Sequence, residues 1–194
     1  REFLREHVNI VAMNESEAEV LTGHNDPLLA TEQILDWCDM VLLTSGPRGL
    51  YIGGYCDRKA LRQTRDDIYS KSIPEYNRYE YSRVMYKSHC EDPVRIYSHI
   101  NPYKGGPERI QTTNGAGDAA LSALLHDITA NHYHRTLFPD AKKHLFPFLT
   151  YSSISQNCKY ANRVSYEVIL QNSPRLTYGL PEREDSLEEA YWEI

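Results

Sequence analysis

The chain of 194 residues has no apolar run approaching the roughly 18 residues that would suggest a membrane span, so no membrane partner is expected. Cysteine is sparse. Cys38, Cys56, Cys90 and Cys158 lie far apart, with no Cys-x-x-Cys pair and no Cys/His metal spacing. Reduced thiols that ligate nothing fit this pattern, and with them a cytoplasmic protein. Positive charge is also in deficit. With 21 Lys and Arg against 27 Asp and Glu, the net charge of −6 argues against a broad nucleic-acid surface, although a local basic pocket could still take phosphates. Arg1–Ile10 mixes charges, lacks an apolar stretch of the signal-peptide kind and does not begin with Met, so it is expected to lie inside a fold. Two phosphate-binding glycine motifs are missing. No Gly-Lys-Ser/Thr completes a Walker loop, and no Gly-x-Gly-x-x-Gly follows a first strand, which disfavours a dinucleotide oxidoreductase.

What is present is alternation of strand and helix signals, the mark of a layered α/β domain. Val8–Ala12 is a short apolar run that reads as a buried strand ending at Met13-Asn14. Glu15–Leu21 follows with helical spacing and is stopped by Thr22-Gly23. Thr31–Trp37 reads as a second helix, Met40–Thr44 as a strand, Ser45–Gly49 as a tight turn, and Leu50–Tyr55 as a returning strand. Residues 56–93 interrupt this order. They carry Tyr69, Tyr76, Tyr79, Tyr81 and Tyr86, too many aromatics for an ordinary flexible linker. They read as an insertion packing on the body or on a partner subunit, with a loose surface loop as the alternative. Arg95–Ile100 is expected to be a strand. After Asn114–Asp118 a helix is expected, with Leu121, Leu124, Leu125 and Ile128 recurring at its period. Leu145–Tyr160 and Ala161–Leu170 also read as helical, with Leu149, Ile154, Cys158, Val164 and Val168 as core candidates, and a terminal helix is expected from Ser186. The glycine pairs Gly53-Gly54 and Gly105-Gly106 read as turns.

The chemistry concentrates at Asn114-Gly115-Ala116-Gly117-Asp118. Small residues at a helix start let the backbone approach an anion, and the first amides of a helix have no internal acceptor. Gly115, Ala116 and Gly117 therefore suit a phosphate. Asp118 would repel that phosphate unless it faces a hydroxyl that must lose a proton as it attacks, which is the arrangement phosphoryl transfer requires. The plainer alternative is that Asp118 merely caps the helix.

Thr112-Thr113-Asn114-Gly115-Ala116-Gly117-Asp118 resembles the second signature of the ribokinase (PfkB) family, usually Asp-Thr-x-Gly-Ala-Gly-Asp. Asn14-Glu15-Ser16-Glu17 resembles that family's Asn-x-x-Glu, and Thr44-Ser45-Gly46-Pro47-Arg48-Gly49 its Thr-x-Gly-x-x-Gly turn. Each is ordinary alone, one as a helix start and the other as a hairpin connection. In family order, each after a strand, they carry the resemblance from about Val8 to Leu176. Leu-Leu-His-Asp-Ile-Thr-Ala-Asn, Lys-Tyr-Ala-Asn-Arg-Val-Ser-Tyr and the Tyr-rich insertion are similar to the branch acting on inosine and guanosine.

The resemblance implies a three-layer α/β/α ribokinase-like sandwich, Rossmann-like, of which residues 1–194 are the C-terminal ATP-binding and catalytic portion. It implies Asp118 as general base, Gly115, Ala116 and Gly117 as anion hole, and Thr44, Gly46, Gly49, Thr113 and Asn162 along the ATP. Asn162 has a buried helix asparagine as its alternative reading. Asn14 and Glu17 are assigned to a magnesium and phosphate network, and no direct protein ligand to the metal is assigned. The cofactors are ATP and Mg2+, with K+ as a candidate activator whose ligands are in doubt, because Thr112 replaces the signature Asp and Ser173 stands where Gly is usual. The expected partners are a purine nucleoside, whose 5′-hydroxyl would be phosphorylated to give IMP or GMP, and the N-terminal half of the same fold. A second copy of the chain is a further candidate. Without the acceptor-binding half, the chain by itself is expected to be inactive. Two alternatives stand beside this: a related sugar or nucleoside kinase, and a chain that binds nucleotide without catalysis.

Overall fold

The computed structural model describes residues 1–63, 78–103 and 110–181. Four strands form one mixed sheet in the order β1 (Ile10–Asn14), β2 (Met40–Thr44), β3 (Leu50–Asp57), β4 (Pro93–Ile100). β1 and β2 are parallel, while β3 runs antiparallel to both neighbours. The carboxyl ends of β1, β2 and β4 therefore meet at one end of the sheet, beside the start of β3.

Period-two alternation gives the sheet two apolar faces. Met40 and Leu42 join Leu50, Ile52 and Ile96 in one core, covered by α4 (Ala116–Leu137) and α5 (Ile154–Ile169). Val41 and Leu43 join Tyr55 and Tyr97 in the other, covered by α2 (Glu15–Thr22) and α3 (Pro27–Ile34). A short α1 (Glu2–His7) precedes β1. The fold is thus helices on both faces of one sheet, the three-layer α/β/α arrangement anticipated. The central strand β2 (Met40–Thr44) reads as a continuous apolar run because both of its faces are covered.

Several boundaries differ from the sequence reading, each for a local reason. α3 begins at Pro27 rather than Thr31, because the Asp26 side chain accepts hydrogen bonds from the amides of Leu28 (2.8 Å) and Leu29 (3.2 Å) and proline suits the first helical position. α5 starts only at Ile154, where Ser153 caps it, and it runs unbroken to Ile169. Residues 145–153 are not helical. Their backbone serves other elements: Leu149 donates to the Val84 carbonyl (2.7 Å), and Asp127 accepts from the amides of Tyr151 and Ser152. Leu149 is buried as anticipated, but in this segment and not in a helix.

On α4 small residues join the expected row at the core, with Leu121 and Ile128 packed against it. Ala119, Ala120, Ala123 and Leu124 are buried, whereas Leu125 is exposed. Alanine lets α4 lie close to its neighbours, chiefly α5. Gly53-Gly54 lies inside β3 and not in a turn. A Cβ at Gly53 would come within 2.6 Å of the Thr31 side chain, and one at Gly54 within 2.8 Å of Val84, so the pair admits two close neighbours. Cys56 and Asp57 belong to β3, and Pro93 opens β4. Between them Ser82, Arg83, Val84 and Met85 are buried, and Met85 bridges Tyr55 and Phe148. Two of the five tyrosines named in the insertion, Tyr69 and Tyr76, lie outside the described residues, as do Gly105-Gly106 and the terminal helix expected from Ser186. No described helix is long and apolar enough to cross a membrane. All four cysteines are free thiols.

Candidate active site

β2 ends at Thr44, and the chain turns at once through Gly46–Arg48 into β3. Gly49 closes this turn at φ 92°, a conformation that favours glycine. A Cβ there would also stand 2.0 Å from the Ile100 carbonyl at the end of β4, so the turn lies directly against that strand end. On its outer side the turn is pinned by Glu15, the first residue of α2, whose carboxylate accepts from the buried Ser45 hydroxyl and pairs with the Arg48 guanidinium. His99 stacks on Tyr51 and its Nε2 lies 2.8 Å from the Arg48 carbonyl. Sequence reasoning passed over Glu15 and Arg48. The signal was there only as opposite charges 33 positions apart, which no local pattern brings together.

Asn14 and Glu17 form a capping box at the start of α2. The Glu17 amide donates to Asn14 Oδ1 (2.9 Å), and the Asn14 amide donates to Glu17 Oε2 (2.8 Å). Both residues are exposed at the carboxyl end of β1. Asn162, on α5, is buried and donates to the carbonyls of Ile100 (3.2 Å) and Asn101 (2.6 Å). It thereby holds the end of β4 that Gly49 packs against.

α4 opens at the same end of the sheet. Its N-cap, Gly115, has φ 82°, and a Cβ there would meet Pro174 at 2.7–2.8 Å. The loop before it is tied to α5: the amides of Gln111 and Thr112 donate to the Ile169 carbonyl, and the Ser165 hydroxyl donates to the Ala116 carbonyl (2.8 Å). Thr112 Oγ1 accepts from the Asn114 amide (3.1 Å), Ser173 Oγ accepts from the Arg175 amide (3.4 Å), and Thr113 is exposed. Gly117 lies beside the end of β2, its ideal Cβ position 3.8 Å from Thr44 Oγ1. The first bond of the helix runs from the Ala119 amide to the Gly115 carbonyl, so the amides of Gly117 and Asp118 have no acceptor among the described residues. Asp118 occupies the third helical position, not the cap. Its carboxylate is exposed and makes no hydrogen bond among the described residues.

The structure therefore brings Thr44–Gly49, Gly115–Asp118, Asn14, Glu17 and Asn162 to one end of the sheet, outside the carboxyl ends of β1, β2 and β4. That is where ligands bind in open α/β sheets. Unpartnered amides at a helix N-terminus, with the positive end of the helix dipole, suit a phosphate. A free carboxylate next to them suits proton removal. Among the described residues no three His, Cys, Asp or Glu come together to hold a metal ion.

No family model matches the chain. It is 61% identical over 193 residues to the curated guanosine-inosine kinase of Escherichia coli K12, and equally to that of Escherichia coli O157:H7; the match takes in all of this chain and 44% of each relative. The chain thus spans less than half the length of the curated relatives it matches. Among solved structures it is similar to adenosine kinase from Sinorhizobium meliloti (18% identity, TM-score 0.52, 97% of this chain and 38% of that one). It is likewise similar to ribokinase from Giardia lamblia (17% identity, TM-score 0.52, 99% and 45%). The chain has a ribokinase-like α/β fold, and along its whole length its sequence is similar to guanosine-inosine kinase.

Proposed function

We propose that this chain carries the nucleotide-binding and catalytic portion of an ATP-dependent kinase that phosphorylates the 5′-hydroxyl of inosine or guanosine, forming IMP or GMP. The observation that carries the reading is the pairing of unfilled helix-start amides at Gly117 and Asp118 with the uncommitted Asp118 carboxylate, in a chain 61% identical to guanosine-inosine kinase.

In this reading the nucleotide lies along Thr44–Gly49, with Thr113 beside its phosphates and Gly46 open to it. Asn162 contributes by fixing Ile100 and Asn101, which back the turn. Asp118 accepts the proton from the acceptor hydroxyl as its oxygen bonds to the γ-phosphorus and the bond to ADP breaks. The Gly115–Gly117 amides stabilise charge gathering on the transferred group, so that positioning and electrostatics do most of the work. Glu17 keeps one carboxylate oxygen outside its capping bond and, with Asn14, borders the phosphate region. Magnesium usually keeps several waters and binds through one or two carboxylates together with the substrate phosphates, and Asn14 and Glu17 are assigned to that network. When bound it supplies charge neutralisation of the phosphates. Potassium is assigned to the contact between the loop at Thr112–Gly115 and the loop at Ser173–Pro174, which the close approach of Gly115 to Pro174 brings together. The acceptor is held by residues of the longer protein, in keeping with the 44% span. A second copy of the chain is kept as a candidate partner, and a cytoplasmic location is proposed from the free thiols.

The test is inosine-dependent ADP formation by the intact protein with ATP and magnesium. Robust ATP turnover with a sugar but none with inosine or guanosine would move the assignment to another ribokinase-like kinase. ATP binding without turnover on any acceptor would support the non-catalytic alternative.

A further inference from the structure

Asn14 and Thr44 face each other as the last paired residues of the parallel strands β1 and β2. One residue further on the two segments part: Glu15 opens α2, and Ser45 enters the turn to β3. That register sets the Glu15 carboxylate beside the turn, where it reaches two residues at once. Its Oε1 accepts from the Ser45 hydroxyl, and its Oε2 pairs with the Arg48 guanidinium. The preference of a helix start for acidic residues accounts for a glutamate at this position, but not for its hold on both sides of the turn. Ser45 is 2% exposed, so water does not readily take the place of the carboxylate. Within the turn the amides of Ser45, Arg48 and Gly49 bond to the carbonyls of Gly49, Ser45 and Gly46. Pro47 has no amide, which leaves the Gly46 amide as the N–H of Ser45–Gly49 without an acceptor among the described residues. Gly46 is also open, with nothing within 4 Å of a Cβ built there.

We propose that Glu15 is a positioning residue for the donor nucleotide, holding Ser45 and Arg48 so that the turn presents the open Gly46 and its unbonded amide to the ligand. The proposal rests on the reading of Thr44–Gly49 as the nucleotide turn given above. Glu15 acts through the turn and not on the nucleotide. At its far end the turn is already fixed, because Gly49 packs against the Ile100 carbonyl at the end of β4. At its near end Glu15 supplies the matching anchor, and without it residues 45–48 can hinge about Gly46, whose φ is 51°. A lone carboxylate beside a phosphate region would repel the ligand; paired with Arg48 it presents no net charge. Glu15 also ties the turn to the start of α2, where Asn14 and Glu17 stand, so the two borders of the nucleotide region are held as one piece.

The experiment is calorimetric titration of ATP with magnesium into the intact protein, beside steady-state ADP formation with inosine and circular dichroism to fix the folded fraction. Glu15→Ala should weaken ATP binding about 10-fold or more, the scale of losing charge-assisted hydrogen bonds. KM for ATP should rise to match, while KM for inosine stays within about two-fold and kcat within about three-fold. Glu15→Gln can still accept from Ser45 but cannot neutralise Arg48, so it should recover part of the loss. Adding Ser45→Ala to Glu15→Ala should weaken ATP by less than about two-fold more, because the two residues act through one contact. ATP binding by Glu15→Ala as tight as that of the wild type would overturn the proposal, and so would tighter binding, which would make the carboxylate merely repulsive. A parallel loss of kcat, inosine KM and folded fraction, with no recovery in Glu15→Gln, would overturn it as well by showing a structural role alone. A wild type that binds ATP but does not turn over inosine counts against the kinase reading and leaves the binding comparison to decide; one that binds no ATP ends both.

Discussion

Replacing Gly115 by alanine and Gly117 by valine should separate architecture from chemistry within three residues. Gly115 has φ 82°, and its added Cβ would stand 2.7 Å from the Pro174 carbonyl oxygen and 2.8 Å from Pro174 Cβ. A left-handed conformation costs a non-glycine residue roughly 1–2 kcal/mol, and forcing a methyl into occupied space typically costs about 1–3 kcal/mol. Gly115→Ala should therefore destabilise the protein by about 3 kcal/mol, a fall in Tm of about 6–12 °C for a chain of this size. At Gly117 the ideal Cβ finds nothing closer than Thr44 Oγ1 at 3.8 Å, and the backbone is ordinary helix. Stability should change by less than about 1 kcal/mol, since glycine is itself a poor helix former. Turnover should fall by on the order of 3 kcal/mol, because the side chain occupies the approach to the unpartnered amides. The assays are urea or thermal unfolding followed by circular dichroism, and steady-state ADP formation by the intact protein. If Gly115→Ala unfolds with the wild type, the Pro174 contact is not as tight as described. If Gly117→Val is stable and fully active, the helix start does not cradle phosphate.

Asp118→Asn in the intact protein should lower kcat by about 10²- to 10⁴-fold with little change in KM for ATP, since the amide fills the same space but cannot take the proton; a near-normal rate would remove the general-base role. The 194-residue chain alone should bind ATP weakly and show no inosine-dependent ADP formation, because orientation of the acceptor can supply roughly 7–11 kcal/mol of a barrier; turnover abolished by Asp118→Asn would show an acceptor site within it. Asp57 is held below its ordinary value by hydrogen bonds from the amides of Lys59, Asp92 and Glu91, so its contribution to stability is full above the unfolded carboxylate range and is lost as pH falls through the lower folded value. Asp57→Asn should flatten the acid limb of a stability-against-pH curve below about pH 4, and an unchanged limb would refute this. Exchanging K+ for a large organic cation should lower activity if the Thr112–Ser173 region holds a monovalent ion, and equal rates would discard it.

Local chemistry made much of this molecule legible from residues alone. The helix start after Asn14 with Gly23 behind it, the strand at Met40–Thr44 and the helix after Gly115 are all set by neighbours within a few positions, so their signals survive in one dimension. The small residues at Gly115–Gly117 likewise announced a helix start. Where the reading slipped, the deciding partner was distant or weakly patterned. Residues 145–153 are apolar enough for a helix, but Leu149 bonds to Val84 and Asp127 takes the amides of Tyr151 and Ser152. Gly53-Gly54 looks like a turn until Thr31 and Val84 are seen pressed against it.

The sequence by itself determined the local elements and the small-residue loop ahead of Asp118, because hydrogen bonds and periodicity of short range specify them. Only tertiary structure decided that Asp118 is a free carboxylate at the third helical position rather than a cap. Only it showed that Glu15 clamps the turn at Ser45 and Arg48, and that Asn162 spends its amide on the end of β4. Each of these depends on which residues a right-handed, layered chain brings together across tens of positions, and no local pattern encodes that.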